Sequence, residues 1–171
     1  ELAVRAVLGQ RVTVAAARTL ARRLVERFGE HLASSSPWPE LHLSFPSPAI
    51  LAQADPQHIG ELGILRSQTQ AIQALAKLWQ DEAAHGLTLL PEELIRRLVD
   101  IPGLGPWTAH YIAMRTLAWP DAFPPGDVAV LKAMGLSKGK AAEREAEARS
   151  QAWRPWRAYA VLRLWQSLEN P

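Results

Sequence analysis

The sequence predicts an all-α protein, and three observations carry that expectation. Apolar residues recur at three- and four-residue spacing along nearly the whole chain. The segments so marked are bounded by residues that start and stop helices. No stretch alternates apolar and polar side chains over the length that a half-buried strand needs, and no internal repeat is present.

The elements follow in order. Leu2 to Leu8 reads as a short amphipathic helix, interrupted by Gly9, Gln10 and Arg11. Thr13 is placed to cap a longer helix through Ala15, Ala16, Ala17 and Leu24 to Phe28, which Gly29 stops. Residues 30–47 are rich in Ser and Pro and predict an irregular loop. Ser47-Pro48 and Asp55-Pro56 each pair a capping side chain with proline at the first helical position, so each opens a short helix. A longer helix over 67–84 ends at Gly86, and Pro91 opens another over 92–99. Beyond a tight hairpin come a helix over 107–117 and a proline-rich loop over 119–126. Asp127 then precedes a short helix that Gly135 closes. A charged helix over 141–150 and a last one over 156–168, started by Pro155, complete the chain. Two helical lobes are expected, 1–119 carrying the hairpin at 101–106 and 120–171 carrying Asp127.

Composition removes several function classes. The 171 residues include no cysteine, which excludes disulfides, thiolate zinc sites and cysteine-ligated iron–sulfur clusters. The five histidines (31, 42, 58, 85 and 110) lack metal-ligand spacing, so no zinc is expected. No run approaches the roughly 18 apolar residues of a membrane span, and no signal peptide opens the chain. The missing cysteines permit a reducing cytoplasm, and a monomer is expected. The chain begins with Glu1 and an immediate apolar pattern, which reads as a fragment of a longer protein or a chain lacking its first residues. The formal charge of +2 argues only weakly for nucleic acid, so that case rests on where amides and charges sit.

The stretch "DIPGLGPWTAHY" puts two glycines and two prolines into Pro102 to Pro106 and then runs directly into a helical pattern. Glycines permit positive φ and close approach of the backbone. The amides between Gly103 and Trp107 lie at the start of a helix, where donors and dipole favour an anion, and Gly103, Leu104, Gly105, Pro106 and Thr108 are the candidate contacts. Such a turn either grips a DNA phosphate without any net positive charge or simply joins two helices. The mixed-sign segment from Lys138 to Arg149 reads as a solvated face.

The hairpin resembles that of the helix-hairpin-helix DNA glycosylase superfamily, in which Pro-Gly-x-Gly is followed by a helix, a loop and an aspartate. Asp127, in "FPPGDVAV", lies 22 positions after Gly105, where that superfamily carries its catalytic carboxylate. "VRAVLGQRVTVAAA", "FPSPAILAQADP" and "WRPWRAYAVLRLW" extend the resemblance to the alkylpurine branch, the DNA-3-methyladenine glycosylase II (AlkA) type. The resemblance implies a helix-hairpin-helix glycosylase fold with a DNA- and base-binding cleft between its lobes. The implied partner is double-stranded DNA containing damaged bases. The implied activity is excision of flipped-out 3-methyladenine- and 7-methylguanine-type purines, the first step of base excision repair. Other lesions such as hypoxanthine or uracil, and a non-catalytic DNA-binding module, are the alternatives. The N-terminal β domain of longer relatives has no counterpart in this sequence.

Bifunctional members carry a lysine where this chain has Trp107, and its four lysines (77, 132, 138 and 140) lie elsewhere, so no lyase activity is expected. Asp127 is both the implied catalytic residue and a helix N-cap. A carboxylate that accepts helix amides is a poor proton donor but suits stabilisation of an oxocarbenium-like sugar and orientation of water. No second carboxylic acid is identified, which fits a base made cationic by alkylation that departs neutral. The resemblance implies a base pocket of Trp107, Tyr111 and Trp165, with the purine held between electron-rich rings. Trp38, Trp79, Trp153 and Trp156 are expected to be ordinary core. Gln10 either contacts the opposite strand or caps a helix. Arg11 stands where relatives place a wedge residue, often leucine, and either plugs the gap left by the flipped base or is a solvated loop residue. Hairpin carbonyls of relatives can hold an alkali ion, here Na+ or K+ on Val99, Ile101 and Leu104.

Overall fold

A computed structural model describes residues 1–32, 38, 41–85 and 90–169, the side chains of 83–85 excepted. The expected stop at Gly86 and parts of the 30–47 loop lie outside the described residues. Ten α-helices are described: α1 (Leu2–Leu8), α2 (Val14–Phe28), α3 (Pro48–Gln53), α4 (Pro56–Gly60), α5 (Arg66–His85), α6 (Pro91–Val99), α7 (Pro106–Thr116), α8 (Val128–Ala133), α9 (Lys140–Ser150) and α10 (Arg157–Glu169). Among the described residues there is no strand, only an isolated antiparallel bridge between His31 and Leu43. The protein is all-α, and no described helix is long and apolar enough to cross a membrane.

Local chemistry explains the starts. Thr13, Ser47, Asp55 and Asp127 each accept an amide of the first turn that follows, at 3.2, 3.4, 2.8 and 2.8 Å. Proline occupies the first turn of α3 and α4, where its missing N–H costs nothing. Gly29 stops α2 by a different route from the one expected. Its backbone is extended (φ −70°, ψ 152°), and a Cβ there would stand 2.5 Å from the Val25 carbonyl and 2.6 Å from that of Ser44. Two carbonyls, rather than a left-handed turn, demand the bare backbone.

The chain divides into two compact units, Glu1–Leu89 with Asp100–Leu104, and Leu90–Val99 with Gly105–Pro171. This differs from the expected lobes, 1–119 and 120–171, because α6 packs on α7 and α7 joins the core of the second unit through Tyr111 and Met114.

In the first unit α5 is the central helix, packed by α1, α3 and α4. Leu8, Leu24, Ile59, Ile72 and Leu75 are buried. The buried Gln68 side chain accepts the Leu65 amide and donates to the Val7 carbonyl at 3.0 Å, tying the start of α5 to the end of α1. In the second unit α10 packs on α8 and α8 on α9. One apolar cluster holds Phe123, Val130, Leu131, Ala146 and Val161. A second holds Met114, Ala122 and Ala158, and Trp165 packs against both. The final helix starts at Arg157 rather than Trp156: residues Gln151–Trp153 form a 3-10 turn, and the Trp156 amide donates back to Trp153 at 2.7 Å. Trp153 packs in the core as expected. Trp38 and Trp156 do not, being 61% and 58% exposed.

Candidate active site

The second unit gathers the carboxylate and the rings. Asp127 sits at the N-cap of α8, where its Oδ1 accepts the Val130 amide at 2.8 Å. The same oxygen accepts the Nε1–H of Trp165 at 3.1 Å, and Oδ2 accepts the Nε1–H of Trp107 at 2.6 Å. Asp127 is 7% exposed, and among the described residues its Oδ1 accepts two of these donors and its Oδ2 one, out of the roughly four acceptor positions a carboxylate offers. Tyr111, one turn after Trp107, lies against that indole, with centroids 5.2 Å apart and planes 6° from parallel. Trp165 is tilted 45° to Tyr111 at 6.4 Å.

Trp107 and Tyr111 lie face to face, so the facing surfaces of this pair are taken up by each other. A pocket of about 160 Å³ in this unit, lined by residues that include Arg115, Trp119 and Tyr159, contains none of the candidate residues.

Two features of the loop ahead of Asp127 are absent from the sequence reading. Asp121 is buried and accepts both Nε and Nη2 of Arg157, at 2.7 and 3.0 Å, and Nε of Arg154 at 2.8 Å. Arg157 also reaches Glu147 at 3.3 Å. Burial alone would raise the Asp121 pKa, but the hydrogen bonds and charges of Arg157 and Arg154 outweigh it and hold the carboxyl below its ordinary value. The available signal was Arg157 itself, an arginine in register with Val161 and Trp165 on the inward stripe of α10.

The second feature is His110, whose Nδ1 accepts the Phe123 amide at 3.4 Å. Burial, with a smaller contribution from the Arg157 charge, lowers its pKa to about 4. An unfolded histidine titrates near 6.5, so between pH 6.5 and about 4 the unfolded state binds the extra proton. This stabilisation is complete above that window and is lost as pH falls through it. Thermal midpoints of the wild type are expected to decline across the window more than those of His110→Asn, which keeps an acceptor but does not titrate. Equal declines would exclude the effect.

The hairpin residues divide between the units. In the first, Gly103 has φ +93°, where a side chain costs about 1–2 kcal/mol. Its carbonyl accepts the Gln10 side chain at 3.1 Å. The Ile101 carbonyl, one of those implied for an alkali ion, accepts the Leu104 amide at 3.0 Å, leaving it a lone pair for a cation. Arg11 is exposed and takes a left-handed backbone, φ +59°, uncommon for a residue other than glycine. In the second unit Gly105 is the N-cap of α7, with Pro106 next. Gly105 itself has no side chain to cap the helix, and its backbone is extended at φ −86°. A Cβ on Gly105 would meet nothing within 4 Å, so neither φ nor internal packing requires glycine there. Among the described residues no group of three or more acidic or histidine side chains is arranged to hold a metal.

The chain belongs to the HhH-GPD superfamily of base excision DNA repair proteins, which it matches over residues 4–158. It is 40% identical over 173 residues to a probable bifunctional transcriptional activator/DNA repair enzyme AlkA of Mycobacterium tuberculosis, covering 100% of this chain and 34% of that protein. It is 35% identical over 170 residues to DNA-3-methyladenine glycosylase 2 of Escherichia coli, covering 96% of this chain and 56% of the relative. The chain thus spans between a third and somewhat over half of these relatives. Among solved structures, the 3-methyladenine DNA glycosylase Mag1 of Schizosaccharomyces pombe in complex with abasic DNA shares the fold, with TM-score 0.72 and 22% identity over 98% of this chain and 79% of that one. An 8-oxoguanine glycosylase/lyase of Clostridium acetobutylicum gives 0.76 at 16% identity, over 99% and 59%.

Proposed function

We propose that this chain is the catalytic unit of a monofunctional DNA glycosylase that hydrolyses the N-glycosidic bond of flipped-out alkylated purines in duplex DNA. The observation that carries the reading is the Asp127 carboxylate, held by three N–H donors beside Trp107, Tyr111 and Trp165. In the proposed reaction the bond between the anomeric carbon and the base nitrogen breaks, and its electron pair leaves with the base. A purine alkylated at N3 or N7 is already cationic and departs neutral, so no proton donor is required at the leaving group. The negative charge of Asp127 stabilises the developing oxocarbenium ion, and its Oδ2 orients the water that adds; the water's oxygen bonds to the anomeric carbon and its proton passes to the Asp127 carboxylate and on to solvent. The relatives named for 3-methyladenine support the choice of base. With Trp107 in the position of the lyase nucleophile, no Schiff base with the sugar forms.

The hairpin binds phosphate through the N-terminus of α7, and the absence of a side chain at Gly105 supports this, since a Cβ there would meet nothing within 4 Å of the protein itself. Gly105→Ala is therefore expected to leave the urea midpoint nearly unchanged while weakening duplex DNA binding about tenfold. A loss of stability without a loss of affinity would assign the glycine to the fold instead. Arg11 fills the gap left by the flipped nucleotide; its exposed, left-handed backbone supports that role. The deciding assay follows free base released from methylated duplex DNA. Base release with strands intact until heat or alkali is applied is expected. Spontaneous nicking would contradict the monofunctional reading, and DNA binding with no release from any lesion would leave a binding module.

A further inference from the structure

We infer that Trp107 and Trp165 serve the reaction through their indole N–H groups, as positioning residues that lock the Asp127 carboxylate, and not only as ring faces. The inference rests on the function proposed above and adds a role to two residues of the same site. A carboxylate fixed by the Val130 amide alone would be held at one oxygen and free to turn about its own bonds. Here Oδ1 receives two donors and Oδ2 a third, from three different elements: α8, α10 and α7. A planar group held at both oxygens cannot rotate, so the orientation of Oδ2 is fixed.

The donors are themselves fixed. Trp107 lies flat against Tyr111, and Trp165 is packed by both apolar clusters of the unit. Phenylalanine would offer a smaller aromatic face at either position and no donor, and tyrosine would carry its donor at the far end of the ring. What tryptophan alone brings to both positions is an N–H on the edge of a large ring, and both edges point at the same carboxyl group. Tyr111 contacts both indoles and so supports the clamp from outside it.

The test separates edge from face. Trp107 and Trp165 are replaced one at a time by 3-benzothienylalanine, which keeps the bicyclic face and carries sulfur in place of N–H, and in parallel by phenylalanine. For the benzothienylalanine variant at each position the single-turnover rate on methylated duplex DNA is expected to fall about tenfold or more, with affinity for that DNA within about twofold. In 1H–15N spectra, the indole signals identified by their loss in Trp107→Phe and Trp165→Phe are expected to move in Asp127→Ala. Rates within about twofold of wild type for both isosteres, or indole signals indifferent to Asp127→Ala, overturn the clamp. If a Trp107 variant does not fold, Trp165 and the spectra decide. An inactive wild type defeats the function proposed above, and the spectra then judge the clamp alone.

Discussion

Asp127→Asn is expected to release methylated purines about a hundred- to a thousandfold more slowly than the wild type, with duplex binding retained. The magnitude is that of removing one preorganised charge from the place where the opposite charge develops. The fold should survive, since asparagine caps helices about as well as aspartate and its oxygen can still accept the Val130 amide. The other half of the amide, however, turns N–H groups toward the N–H of Trp107, where the wild type has an acceptor. That mismatch costs about 1–2 kcal/mol, which a thermal melt will register as a small shift. A variant that releases base at the wild-type rate, with its melt unchanged, would remove Asp127 from the chemistry altogether.

Asp121→Ala is expected to cost the most stability of any substitution near the site, about 3–5 kcal/mol, or a fall of roughly 10 °C in the thermal midpoint. The cost comes less from the lost attraction than from Arg157, which is 5% exposed and would be left with its charge buried and, among the described residues, Glu147 at 3.3 Å to meet it. Activity should fall along with stability, because the loop from Asp121 leads directly to Asp127, and Arg157 and Trp165 share α10. The pH dependence has a definite sign. Burial opposes ionisation of Asp121, but the two arginines prevail and its folded pKa lies below the unfolded one of about 4. The stabilisation is therefore whole above pH 4 and is lost as pH drops further, through the folded pKa. This window lies below the one assigned to His110, so melts taken between pH 7 and 3 should separate the two losses. In Asp121→Ala the lower of them should vanish.

The parts of this structure that were legible in the sequence are those decided within a few residues. A cap needs only a short polar side chain and an amide two or three positions on, and Thr13, Ser47, Asp55 and Asp127 all behave accordingly. The i, i+4 spacing of Trp107 and Tyr111 placed their rings together, though not that they would close on each other. Bringing Trp165 to Asp127, 38 positions away, came from resemblance and not from any local rule. The Asp121–Arg157 pair, 36 apart, had no local signature beyond an arginine in an apolar stripe. Gly29 shows the same limit in part: the stop is legible, but one of the two carbonyls that demand a bare backbone there, that of Ser44, is brought near only by tertiary packing. Trp38 and Trp156 failed for the opposite reason, since size and hydrophobicity favour burial without compelling it.

Trp165 is wedged between two apolar clusters while its edge holds the carboxylate. Broadening the range of bases by trimming this ring would therefore loosen the scaffold in the same stroke. Laboratory evolution toward bulkier lesions should accordingly alter Tyr111 before Trp165, since Tyr111 braces the indoles without bonding to Asp127 itself, and variants altered at Trp165 should surface only with compensating changes elsewhere in the helices that surround it.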